Sequence, residues 1–397
     1  MADLIVVILI VLVAAYIGGE VFKHFKIPRG IGQIAAGLLL GIPLIKDHLF
    51  PDGGPETLLF LGNLGMILLF FFVGLETNLK ATRKLIKETT LISVFNTVIP
   101  LILGFLVSYF AFKLNFVVST IIGMSLAVSS QAISFDILEE LKLLKSGVGK
   151  LIIASGAVDD IFELFLLSII LTLINVSTFN IGLWTLILHT IIFILIILIF
   201  RRLIIKFVLT RFEKEGSLTS LFMGALIMVL LVSALSEIFG FGALVGALVA
   251  GVSIRHFLFT GRHKKPWEEH RIARAVHIIA FGFLVPIFFV LVGLNTDLNA
   301  VFSNLGLSVT LILIALIGTI GGSIIGVMLS KGSFKEGLAV GLGVSPKGDV
   351  ELVLATLALQ NSIINNEIYS AIIFMAFIVT FITSIAFRYL AKGKSIK

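Results

Sequence analysis

The chain has 397 residues, 58% of them hydrophobic and 13% charged, with a mean hydropathy of +1.15. Soluble globular chains carry roughly 45–50% apolar and about 25% charged residues, so a soluble core is excluded and most of the chain has lipid as its solvent. The net charge of +7 does not point to nucleic acid, because the basic residues sit in short loops between apolar runs, and the absence of cysteine excludes disulfides and thiolate metal sites.

Apolar runs of about 20 residues, the length that crosses a bilayer, predict about thirteen spans, so the expected fold is an all-α polytopic membrane protein. Span 1 (3–22) has no basic stretch before it and is followed by Glu20-Val21-Phe22-Lys23 instead of a small-residue cleavage site, which makes it a retained helix and not a signal peptide. Spans 2 to 6 follow at 30–45, 57–77, 87–112, 116–138 and 147–175, and span 7 at 181–208. Spans 8 to 13 are expected at 219–239, 241–258, 274–295, 304–330, 335–361 and 366–390. With the N-terminus outside, 27 of the 30 Lys and Arg residues fall in the inside loops and only Lys46 and Lys113 outside; Lys347 lies within a span. That asymmetry supports thirteen spans with the C-terminus cytoplasmic. The chain is expected to carry no soluble regulatory domain, since it ends at Lys397 soon after the last span.

Val73-Gly74-Leu75-Glu76-Thr77-Asn78-Leu79 recurs as Val292-Gly293-Leu294-Asn295-Thr296-Asp297-Leu298, and the same offset of 219 carries spans 4, 5 and 6 onto spans 11, 12 and 13. Glu20-Val21-Phe22 likewise finds Glu237-Ile238-Phe239, and the glycines of span 2 (Gly32, Gly37, Gly41) find those of span 9 (Gly242, Gly246, Gly251). Matched spans are seven apart, an odd number, so the copies run in opposite directions through the membrane. Inverted repeats of this kind characterise alternating-access transporters, whose site lies near the midplane at broken helices. The expected organisation is repeat one over 1–175, a linker helix in 176–215 and repeat two over 216–397.

Two breaks are expected at matching places. Span 5 is interrupted by Ser129-Ser130-Gln131 and span 12 by Ser345-Pro346-Lys347-Gly348-Asp349. Proline removes a backbone donor and glycine tolerates unwound backbone, and the freed backbone groups must line a cavity or pack on protein.

Each carboxylate at bilayer depth costs about 2.5–3.5 kcal/mol on insertion scales, so such residues are functional candidates. Span 6 carries Asp159, Asp160 and, one turn on, Glu163, all near its centre. Two neighbouring carboxylates in a low-dielectric medium do not ionise together easily. One of them can therefore hold a proton that a competing cation displaces, which is the chemistry of an antiporter. Carboxylate, the Ser129 and Ser130 hydroxyls and freed carbonyls are hard ligands suited to an alkali cation. Lys347, the intramembrane cation, has three candidate partners: Asp159, the half-helix carbonyl ends, or Asp349 and Glu351 beside the break. Asn96 and Pro100 in span 4 read first as packing or kink residues, with a site role as the lesser alternative.

On these segments the chain resembles the cation:proton antiporter-2 family, the sodium/proton and potassium/proton exchangers, over nearly its whole length. The pieces that carry the likeness are Gly30 to Pro43, Val73–Leu79, Ala154-Ser155-Gly156-Ala157-Val158-Asp159-Asp160, Val292–Leu298 and Pro346-Lys347-Gly348-Asp349-Val350-Glu351-Leu352. The resemblance implies a sodium/proton antiporter-like fold with two crossed discontinuous helices, in a homodimer of the cytoplasmic membrane. It implies a dimerisation scaffold of helices 1–3 and 8–10 and an elevator-like core of helices 4–6 and 11–13. It implies Asp160 as the principal cation and proton ligand with Asp159 its partner, Na+ or K+ and H+ as cargo, and no cofactor. The chain departs from the double-aspartate branch in one place. The helix before the second break usually offers a basic partner to the first aspartate, but Ile317-Gly318-Thr319-Ile320-Gly321-Gly322-Ser323 carries no charge. That leaves the proton stoichiometry open and brings Glu163 and Lys347 into any account of it.

Three other readings compete with exchange. A channel would have a pore motif and symmetric subunits, and a sodium-coupled organic-solute symporter on a similar fold would need a larger polar cavity. An intramembrane aspartyl protease needs two aspartates facing each other from different helices, whereas Asp159 and Asp160 are adjacent and diverge. An enzyme is not expected.

Overall fold

The computed structural model describes residues 2–25, 27–49, 56–76, 86–144, 146–156, 158–159, 162, 218–239, 243–260, 271–348 and 350–392; these form helices joined by short turns and non-helical stretches, with no strand among them. Six of the described helices are long and apolar enough to cross a membrane, and shorter apolar helices lie at Arg29–Leu40, Phe116–Ala127, Gly147–Gly156, Phe222–Ile238, Ala243–Arg255 and Val350–Gln360. Expected span 7 lies outside the described residues.

The chain divides into two compact units. The first comprises Met1–Pro55, Asn78–Leu166 and Phe289–Lys397. It opens with α1 (Ala2–His24) and α2 (Arg29–Leu40). These approach at paired glycines: a Cβ on Gly32 would stand 2.1 Å from the Gly18 carbonyl oxygen. Span 2 was expected to run through residue 45, but α2 ends at Leu40 and a separate helix α3 (Pro43–Leu49) begins at Pro43. Proline has no N–H to continue a preceding helix and favours the first position of a new one.

Helix α5 (Ile86–Leu106) runs on through a π turn at Val107–Ala111. Helix α6 (Phe116–Ala127) starts at Asn115, whose side chain accepts the Val118 N–H at 2.8 Å. It stops at Ala127, residues 128–130 are extended, and α7 (Gln131–Glu140) resumes the helix. Helix α8 (Gly147–Gly156) precedes the described part of the aspartate segment.

The C-terminal part of this unit repeats the pattern. A long helix α14 (Leu305–Leu329) is followed by α15 (Phe334–Val344), a non-helical stretch beginning at Ser345, and α16 (Val350–Gln360). A capping box between Ser333 and Glu336 opens α15. Helix α17 (Asn366–Lys392) closes the unit, and the short α13 (Leu298–Ser303) joins α14 to the preceding helix. Apolar side chains such as Ile5, Leu9, Ile317 and Met328 are more than half exposed, which is the surface a lipid solvent requires.

The second unit comprises Glu56–Thr77 and Leu167–Phe288. Its described helices are α4 (Glu56–Glu76), α9 (Leu218–Ile238), α10 (Ala243–Thr260) and α11 (Arg271–Ile279). A π turn at Ala280–Leu284 leads into α12 (Val285–Leu294), whose last six residues belong to the first unit. Gly74 and Gly251 let α4 and α10 touch backbone to backbone, with a Cβ on either standing 2.3 Å from a carbonyl oxygen of the other helix. Arg255 on α10 is buried and donates from Nη1 to the Leu75 carbonyl at 2.5 Å, capping the end of α4.

Candidate functional site

The site lies within the first unit. At the end of α6, Val128 (φ −70°, ψ 145°) and Ser130 (φ −87°, ψ 109°) are extended, so the last carbonyls of α6 and the first amides of α7 lose their in-helix partners. The second interruption supplies some of them. The Ser130 N–H donates to the Pro346 carbonyl at 2.7 Å. The Lys347 ammonium donates to the Leu126 carbonyl at 2.9 Å and to the Val128 carbonyl at 2.5 Å.

Lys347 is fully buried. Of the three partners left open by the sequence, the structure joins it to the half-helix carbonyl ends, where a cation complements the negative end of a helix dipole. Its own backbone is held by Thr380 of α17, whose hydroxyl accepts the Lys347 N–H at 2.7 Å and donates to the Lys347 carbonyl at 2.5 Å. The interruption itself is accommodated by Gly348, where a Cβ would press on Ile133 Cδ1 at 2.8 Å.

Ser129 and Ser130 are both buried at the first interruption. Asp159 is also buried, and the Lys347 charge acts on it. Its carboxylate accepts three hydrogen bonds, all from α5. Ser93 Oγ donates to Oδ1 at 2.5 Å, Thr97 Oγ1 to Oδ1 at 3.3 Å and Asn96 Nδ2 to Oδ2 at 3.2 Å. Asp160, Glu163 and Asp349 lie outside the described residues. Glu351, one turn beyond Lys347, is fully buried on α16.

The sequence favours packing or a kink over a site role for Asn96 and does not single out Ser93 or Thr97. The structure places all three on Asp159. A signal was present: Thr89, Ser93, Asn96 and Thr97 recur at spacings of four, three and one, which is one face of an otherwise apolar helix. All four are buried. The arrangement brings together a buried carboxylate, a buried ammonium and two helix ends whose oxygens are hard ligands, which is chemistry suited to holding a small cation.

A family model described as "Sodium/hydrogen exchanger, transmembrane" matches residues 8–393. The chain belongs to the sodium/hydrogen exchanger family. This exchanger is 27% identical to the Na(+)/H(+) antiporter of Enterococcus hirae over 98% of each chain. It is 30% identical to the "Probable Na(+)/H(+) antiporter 3" of Methanocaldococcus jannaschii, over 98% of this chain and 97% of the relative. Among solved structures, it shares a fold with the sodium proton antiporter MjNhaP1 of the same organism. The TM-score is 0.72 at 18% identity, covering 98% of this chain and 99% of that one. The exchanger is thus a multi-pass membrane transporter of monovalent cations and protons, not an enzyme.

Proposed function

We propose that this exchanger carries Na+ (or K+ or Li+) against H+ across the cytoplasmic membrane by elevator-type alternating access. One site is occupied by protons or by the cation in turn. Asp160 is the principal ligand, with Asp159, Ser129 and Ser130 beside it; Glu163, Lys347 and Asp349 are auxiliary charges. The two relatives named for Na+ and H+ support the choice of ions. In this reading the inverted repeats are 1–175 and 216–397 about the linker in 176–215, and the interruptions of α6 and α15–α16 cross near the membrane midplane. Spans 4–6 and 11–13 form the moving core and spans 1–3 and 8–10 the scaffold of a homodimer. The N-terminus lies outside and the C-terminus in the cytoplasm.

The observation that carries the reading is the meeting of the two interruptions. Lys347 from one bonds the carbonyl ends of the other, with buried Asp159 within reach of its charge. Discontinuous helices with charged residues at their ends are how secondary transporters hold ions in a medium without water.

The test is purified protein in proteoliposomes carrying a pH-sensitive dye, with Na+, Li+ or K+ added outside. Wild type is expected to move protons in response to Na+, and Asp160→Asn to abolish the response while still eluting as a folded homodimer. Full activity in Asp160→Asn would sink the site assignment. Repeating the assay with and without a potassium/valinomycin clamp reads the charge moved per cycle.

A further inference from the structure

Asp159 is a buried carboxylate to which α14 offers no basic partner, and the packing of α14 on α5 explains why. Gly318, Gly322 and Gly326 lie on α5, where a Cβ would stand 2.8 Å from Pro100 Cβ, 2.3 Å from the Phe95 carbonyl oxygen and 2.6 Å from Ile92 Cα. The helices touch backbone to backbone, so along the glycine stripe itself α14 presents no side chain. The donors come from α5 itself. We propose that Ser93, Asn96 and Thr97 are positioning residues of the cation site, replacing a basic partner of Asp159 and aiming its carboxylate at the transported ion. This inference rests on the antiport reading above.

The argument begins with the acceptor count. An ionised carboxylate has about four acceptor positions. Two on Oδ1 are taken by Ser93 and Thr97, and one on Oδ2 by Asn96. Among the described residues one position on Oδ2 stays open, with its direction fixed because the other three are held. The three donors are themselves fixed: Ser93, Asn96 and Thr97 are buried, and residues spaced by three and four share a helix face. The Thr97 hydroxyl is also within reach of Asn96 Oδ1, at 3.2 Å. Its single hydrogen is shared between Asn96 Oδ1 and Asp159 Oδ1, and the carboxylate, an acceptor only, draws the Asn96 NH2 and not its oxygen.

The chemical consequence separates this site from one with a lysine or arginine at the same carboxylate. Those side chains have only donors and a full positive charge, so they compete with an arriving cation for the carboxylate. Hydroxyl and amide groups hold the carboxylate with dipoles and do not repel the ion. Each hydroxyl oxygen, while donating to Asp159, keeps lone pairs that are hard ligands for an alkali cation. The triad therefore sets both the aim of Asp159 and the polarity of the wall around the ion.

The experiment measures apparent KM and maximal rate for Na+, Li+ and K+ in proteoliposomes of the full chain. Thr97→Val keeps the side-chain shape and removes the hydroxyl. It is expected to raise the apparent KM for Na+ about tenfold, the equivalent of one hydrogen bond to a charged group, while the maximal rate changes by less than about threefold. Thr97→Ser is expected to restore the wild-type KM. Ser93→Ala and its conservative counterpart Ser93→Thr repeat the comparison at a second position. A wild-type KM in a folded Thr97→Val and Ser93→Ala overturns the proposal, as does a KM that Thr97→Ser leaves as high as Thr97→Val. Absence of cation-dependent proton movement in wild type overturns the antiport reading, and this inference with it.

Discussion

Replacing Lys347 by methionine tests the joint between the two helix interruptions. The substitution nearly preserves volume and removes the ammonium. The lost bonds are those to the Leu126 and Val128 carbonyls, at 2.9 and 2.5 Å, from a fully buried side chain. Hydrogen bonds to charged groups contribute about 1.5–3 kcal/mol each, and the carbonyls left behind lose a partner where water does not readily reach. The expected loss is on the order of 3–5 kcal/mol, the range seen when one member of a buried charged pair is removed. At about 2 °C per kcal/mol, the low end for large domains, the unfolding midpoint should fall by roughly 6–10 °C. The assay is thermal unfolding of detergent-solubilised protein followed by size exclusion, with proton transport measured in parallel below the new midpoint. Lys347→Arg serves as a control, since it keeps the charge but brings a planar fork in place of a point donor; it should be intermediate in stability. A Lys347→Met protein that melts within a degree of wild type and transports normally would refute the reasoning, because the carbonyl ends of α6 would then not need the ammonium.

Two further outcomes follow from the same packing. Gly322→Ala places a Cβ 2.3 Å from the Phe95 carbonyl oxygen, so α5 and α14 must separate; overpacking of this kind costs about 1–3 kcal/mol, to be read as a lowered unfolding midpoint, whereas Gly321→Ala, which meets nothing within 4 Å, should leave it unchanged. Thr380→Val removes the hydroxyl that clamps both backbone groups of Lys347. It should destabilise by about 1–3 kcal/mol as a buried N–H and C=O lose their partner, and Thr380→Ser should recover most of that in the same melting assay.

Much of the fold is legible in the sequence because lipid leaves few options. Spans must be apolar and about 20 residues long, and the interruptions at Ser129-Ser130 and Pro346-Lys347-Gly348 announce themselves by polar, proline and glycine residues where a helix would exclude them. The acids and Lys347 are equally visible, as charges in apolar runs. The partners are not visible. Lys347 bonds backbone carbonyls, which every residue has, so no side-chain pattern could name Leu126 and Val128. The α5 triad was hidden for another reason. A serine or threonine in a membrane helix most simply bonds the carbonyl one turn back, as Thr120, Ser125 and Ser323 do here. Ser93 and Thr97 look the same in the sequence, and only the placement of Asp159 against α5 tells them apart. The break within expected span 2 was written at Pro43 and outweighed by the continuous hydrophobicity around it.

The Lys347 bonds also bear on how the protein is made. Their acceptors precede the donor by 221 and 219 residues. At a synthesis rate of about 5–20 residues per second, the ribosome reaches Lys347 roughly 10–40 s after Val128. Throughout that interval the newly inserted α6 ends in carbonyls whose eventual partner does not yet exist. The first broken helix must wait for the stretch that carries Lys347 to close it. The joint between the two broken helices therefore forms only after most of the chain has been made.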